Sequence, residues 1–206
     1  MFKLLLLFAH LLGTCLALGA IVATDIRLLR RLADDRVRIA PPNPYVMRLI
    51  ALALLLLIVT GAALVLLGLG ERPDYFSGNP KLQAKLILVA VLGINAWVLH
   101  RYTFPGLARG RRVARWKLRD FVRVALPVAL SNCLWMYCAF LGIARPWSYR
   151  VSMGFVLDTA LWLFMATLAG VTTLLVIAAQ DRTAAEPGWI DALKRQLGAL
   201  ANALRV

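Results

Sequence analysis

Residues 4–24 read LLLLFAHLLGTCLALGAIVAT, an apolar run that reaches the ~20 residues a helix needs to cross a bilayer and that holds a histidine, His10. An ionisable side chain at that depth costs a few kcal/mol, so it faces protein or a bound group rather than lipid. At about 100° per residue, Gly13, Thr14, Ala17 and Thr24 fall within about 60° of His10, whereas Leu5, Leu12 and Leu16 fall on the far side. His10 therefore looks across a lane of small residues, where a neighbouring helix or a flat ligand can approach. Cys15, about 140° away, does not share that face.

Four more such runs follow, at about 47–69, 84–104, 121–144 and 153–179. Of the 206 residues 61% are hydrophobic, and the mean hydropathy is +0.75. The pattern predicts an all-α fold: a polytopic membrane bundle of five transmembrane helices over residues 1–180. The first run is not expected to be a removable leader, because it continues past any small-residue cleavage site into Arg27, Arg30 and Arg31 with no polar domain behind it. The stretch 186–206 opens on Pro187-Gly188 and spaces Ile190, Leu193, Leu197, Leu200 and Leu204 helically. That predicts a short C-terminal amphipathic helix on the membrane surface or against a partner.

Formal net charge is +14, and the basic residues crowd into two connections. One carries Arg27, Arg30, Arg31, Arg36 and Arg38 ahead of Pro41-Pro42-Asn43-Pro44; the other carries Arg109, Arg111, Arg112, Arg115, Lys117 and Arg119. The connections at 70–83 and 145–152 hold only Arg72, Lys81, Arg145 and Arg150. The positive-inside bias puts the arginine-rich connections in the cytoplasm, the N-terminus outside and the C-terminus inside. Cations beside hydrophobic spans point to anionic lipid headgroups as the partner, not to nucleic acid. Cys15, Cys133 and Cys138 all lie within predicted spans and form no disulfide framework.

With that topology, depths compare at about 1.5 Å per residue. His10, Lys85, Asp158 and the group Met136-Tyr137-Cys138 come from four helices and reach the same outer third. Asp158 is expected to pair with Lys85, Arg145 or Arg150. Cys133 and Met136, three apart, could offer two sulfurs to a soft metal ion, although such side chains also serve as ordinary packing. Lower down, Asn95 is expected to bond Asn132, and His100 lies near the opposite interface. Pro127 is expected to bend the fourth span, with Ser131 and Asn132 satisfying the carbonyl it frees.

Phe8-Ala9-His10-Leu11-Leu12, with Gly19 further along, resembles the first helix of the HemJ-type protoporphyrinogen oxidases and of the related CopD-like membrane domains. The stretch Lys81-Leu82-Gln83-Ala84-Lys85-Leu86-Ile87-Leu88-Val89 resembles the lysine-bearing helix of the HemJ type. The likeness covers about residues 1–104; it lacks the Pro-Arg pair and the tryptophan that family carries in and after its first span. It implies a bacterial inner-membrane protein in which His10 ligates haem b and Lys85 is needed for activity, with a hydrophobic substrate or redox partner. On that reading Lys85 and Asp158 are the candidate catalytic pair, and Lys85, Arg145 and Arg150 the candidate propionate contacts. The CopD-like side implies copper handling through His10, Met136 and Cys133. A structural or assembly role, with polar residues that only join helices, is the remaining alternative.

Overall fold

The computed structural model describes residues 1–31, 41–108, 113, 116–179, 193 and 196. The expected amphipathic helix at 186–206 lies outside them apart from Leu193 and Gln196, as do Arg36, Arg38, Arg109, Arg111, Arg112 and Arg115. Among the described residues every regular element is helical. The long elements are α1 (Phe2–Arg31), α2 (Pro44–Glu71), α3 (Pro80–Val98), α5 (Leu118–Ile143) and α6 (Met153–Ala179). A π-helical turn, Leu99–Thr103, carries α3 into the short α4 (Phe104–Leu107), so that Pro80–Leu107 is one continuous apolar rod. Five helices are thus long and apolar enough to cross a membrane.

Local chemistry sets where they begin. Pro44 and Pro80 stand at first helical positions, where a missing N–H costs nothing. Asn43 Oδ1 accepts the Tyr45 N–H (2.9 Å), Asn79 Oδ1 the Leu82 N–H (3.2 Å), and Ser152 Oγ the Phe155 N–H (3.1 Å). α6 keeps the expected limits, while others overrun theirs: α1 continues to Arg31 because its sequence contains no breaker, and α3 starts four residues early, at Pro80.

α5 is the central helix, packed on α3 and α6 and touching α1, while α1 and α2 form an antiparallel pair. Fully buried alanines, Ala17, Ala84 and Ala129, let backbones approach closely. The α1–α2 register runs from the Lys3–Glu71 ion pair (2.6 Å) at the N-terminal face, through His10 and Thr60, to Gly13 against Leu56 and Leu57. Along α3–α5, Lys81 Nζ donates to Ala144 O (2.9 Å), Asn95 Nδ2 to Pro127 O (2.9 Å) and Thr103 Oγ1 to Arg123 O (3.0 Å). Along α5–α6, Tyr137 Oη donates to Val156 O (2.9 Å) and Cys133 Sγ to Ala160 O (3.7 Å).

Two expectations are corrected here. Asn95 bonds the Pro127 carbonyl rather than Asn132, which stands beside Asp25 of α1. The carbonyl left free because Pro127 has no N–H is that of Arg123, four residues back, and it is satisfied by Thr103 from the π turn rather than by Ser131 or Asn132.

Candidate functional site

His10 lies about 12 Å along α1 from its first residue, on the face turned to α2. Its Nδ1 is 2.8 Å from Thr60 Oγ1. Thr60 has one hydroxyl proton, and it goes to Leu56 O at 2.6 Å. The threonine oxygen is therefore the acceptor, Nδ1 carries the imidazole proton, and the lone pair of the neutral ring sits on Nε2. Gly61 completes the seat: a Cβ there would lie 3.4 Å from His10 Cε1, so the ring rests directly on the α2 backbone. Thr60 itself is buried, and it is the sole hydroxyl in the apolar run 49–69.

The lane beside His10 is not open. Gly13 and Ala17 are buried, and a Cβ on Gly13 would lie 3.3 Å from Leu56 Cδ2. Of the two occupants the lane could take, a neighbouring helix or a flat ligand, the helix has it, and the Nε2 edge is what the ring keeps for another group.

Lys85 is the charged group nearest in effect to His10. Its ammonium is within electrostatic reach of His10 and of Cys138 on α5. The Nζ sits 3.5 Å from where a Cβ on Gly142 would be, so Cys138 and Gly142, one turn apart, form the wall it lies against. Among the described residues Lys85 makes no hydrogen bond and no ion pair. Lys81, one turn earlier, is buried at 8% exposure and ties down Ala144 O at the carboxyl end of α5, where a cation complements the unpaired carbonyls.

The other expected partners lie elsewhere. Asp158 is exposed on α6 and makes no ion pair among the described residues, so the expected pairing with Lys85, Arg145 or Arg150 is absent. Val156 and Ala160, two residues to either side, face α5, and at about 100° per residue Asp158 must then point away. Arg145 and Arg150 are exposed in the turn after α5, at the same end of the bundle as Lys81 and Lys85. Cys133 is buried against Ala160 while Met136 is 46% exposed, so the two sulfurs diverge. His100 is exposed at the opposite end, edge-on to Phe104.

Reading by residue type did not single out Thr60, Gly61 or Lys81. A lone Thr-Gly step in a run of leucine, isoleucine and valine was the available signal for the first two. Comparison with protein-family models, curated proteins and solved structures gives no match.

A haem or copper site can be tested against these donors. Among the described residues no group of three or more His, Cys, Asp or Glu side chains comes together, and the Cys133 and Met136 sulfurs diverge. Haem brings four of the iron's ligands in its own ring and asks the protein for one or two. One imidazole oriented by Thr60, with the Lys85 ammonium within electrostatic reach, meets that smaller demand.

Proposed function

We propose that this multi-pass protein resides in the bacterial inner membrane, with its N-terminus outside, and binds b-type haem through Nε2 of His10 near the outer face. The role that follows is electron transfer or oxidation of a hydrophobic substrate taken from the bilayer. The observation that carries the reading is the Thr60–His10 hydrogen bond, which holds the ring in one tautomer with Nε2 available. A ligating histidine is usually held in this way, by a partner on its other nitrogen. The likeness of residues 8–12 and 81–89 to the HemJ type supports the same assignment.

In this reading Lys85 is the propionate partner or proton-handling group, because its charge has no protein counter-ion among the described residues. Arg145 and Arg150 are more distant rim contacts. Haem, when bound, supplies one-electron redox chemistry; the chain supplies the axial nitrogen, its orientation and a nearby positive charge.

Protein purified from cells with ample haem should show a Soret band. His10→Ala should abolish it, Thr60→Val should weaken haem affinity by about tenfold or more, and His100→Ala should leave the band in place. A colourless protein that gives no spectral change on haem titration overturns the reading.

A further inference from the structure

At the end of the bundle opposite His10, an open groove of about 660 Å³ runs along the start of α5, lined by Leu118, Arg119, Val122 and Arg123. Its composition is two-part. Arg119 and Arg123, one turn apart, present guanidinium groups, while Leu118 and Val122, 59% and 42% exposed, form an apolar strip along the same helix. Arg123 also reaches the π turn, where its guanidinium lies 5.8 Å from the centre of the Tyr102 ring. Arg101 lies at the same distance from that ring, so two arginines, Arg101 and Arg123, converge on one aromatic. Asp120, the carboxylate in the same turn of α5, accepts the Lys117 N–H, 3.4 Å from its Oδ2, and forms no ion pair with these arginines among the described residues.

The level of the groove follows from its neighbours. Tyr45, Trp97 and Tyr102, exposed at 77%, 58% and 42%, lie toward the same end, where amphipathic rings mark a membrane–water boundary. Trp97 and Tyr102 meet edge to face at 5.5 Å. Guanidinium groups at that boundary, with an apolar strip leading toward the hydrocarbon, match a phosphodiester headgroup and the first part of its acyl chains.

We propose that this groove holds one anionic phospholipid, its phosphate on Arg119 and Arg123 with Arg101 behind, and its chains along Leu118 and Val122. The proposal rests on the five helices crossing a membrane and not on the haem reading. The site differs from a diffuse attraction to the arginine-rich connections because it pairs specific cations with an apolar strip at one place on one helix.

The test uses the full chain in nanodiscs containing equal amounts of phosphatidylglycerol and phosphatidylcholine, followed by native mass spectrometry of the released protein. Wild type should retain one phosphatidylglycerol in preference to phosphatidylcholine. Arg119→Gln combined with Arg123→Gln should reduce that retention roughly tenfold or more, from the loss of two cations near the surface. Arg27→Gln combined with Arg30→Gln removes the same charge from exposed positions at the same end and should leave retention unchanged. Arg119→Lys with Arg123→Lys keeps the charge and should keep the lipid, which separates lost binding from lost folding. Equal losses in both glutamine pairs, or none in the first, overturn the proposal, as does competition by inorganic phosphate that empties the site without displacing any chain contact.

Discussion

A half-buried cation without a counter-charge among the described residues is a cost that packing does not require, and Lys85 is placed in that way. Its two helical neighbours at the site, Cys138 and Gly142, offer a thiol and a bare backbone, while the nearest charged group of its own helix, Lys81, is of like sign and already committed to Ala144 O. Lys85→Met should therefore leave thermal stability in detergent unchanged or raise it, and Asp158→Asn should stay within about 0.5 kcal/mol of wild type. The double variant should equal the sum of the two singles. A large loss in either single that is recovered in the double would mean that the two charges are paired after all.

Among the elements, α5 carries a defect that the π turn after α3 repairs. Pro127 removes the N–H that Arg123 O would have accepted, and the Thr103 hydroxyl fills the gap from the π turn that joins α3 to α4. That turn lies next to Pro105, and within it the Phe104 N–H reaches back five residues to Leu99 O. The two irregular places therefore support one another. Thr103→Val should cost about 1 kcal/mol in the wild-type background, the scale of hydrogen bonds between membrane helices. With Pro127→Ala, the new backbone N–H satisfies Arg123 O, so the same Thr103→Val change should cost distinctly less. Equal costs in the two backgrounds, by thermal or denaturant unfolding, would show that the Thr103 bond does not repair the proline.

For the whole molecule, the controlling feature is the excess of helix length over bilayer thickness. The candidate spans run from 26 to 28 residues, or about 40 Å against a hydrocarbon layer of ~30 Å, so they tilt or project into the headgroups. Projection places the Lys3–Glu71 pair, exposed on both sides, in water at the N-terminal face. Such a pair is worth less than about 1 kcal/mol and does not hold α1 to α2; the buried contacts of Gly13, Ala17 and Thr60 do that. Orientation follows from charge rather than packing. Reporter fusions after Lys117 and Arg205 should read cytoplasmic and one after Gly78 external, and a cytoplasmic signal at Gly78 would reverse every assignment of inner and outer face.

The sequence by itself determined the number, order and approximate limits of the spanning helices, because a run of some twenty apolar residues has few other stable settings in a cell. It also showed His10 and Lys85 to be at similar depth, since rise per residue along a helix is constant. Which faces meet was a different matter. α2 and α6 are apolar around nearly their whole circumference, so no periodicity marked Thr60 as the partner of His10 or turned Asp158 outward, and only the packing of Val156 and Ala160 on α5 decided the latter. In the same way, the small-residue lane at Gly13 and Ala17 suits a helix and a flat ligand equally well, and the tertiary structure gave it to α2. In lipid there is no hydrophobic force to select a buried face, so close packing and hydrogen bonds between helices select it instead, and those depend on residues distant in the chain.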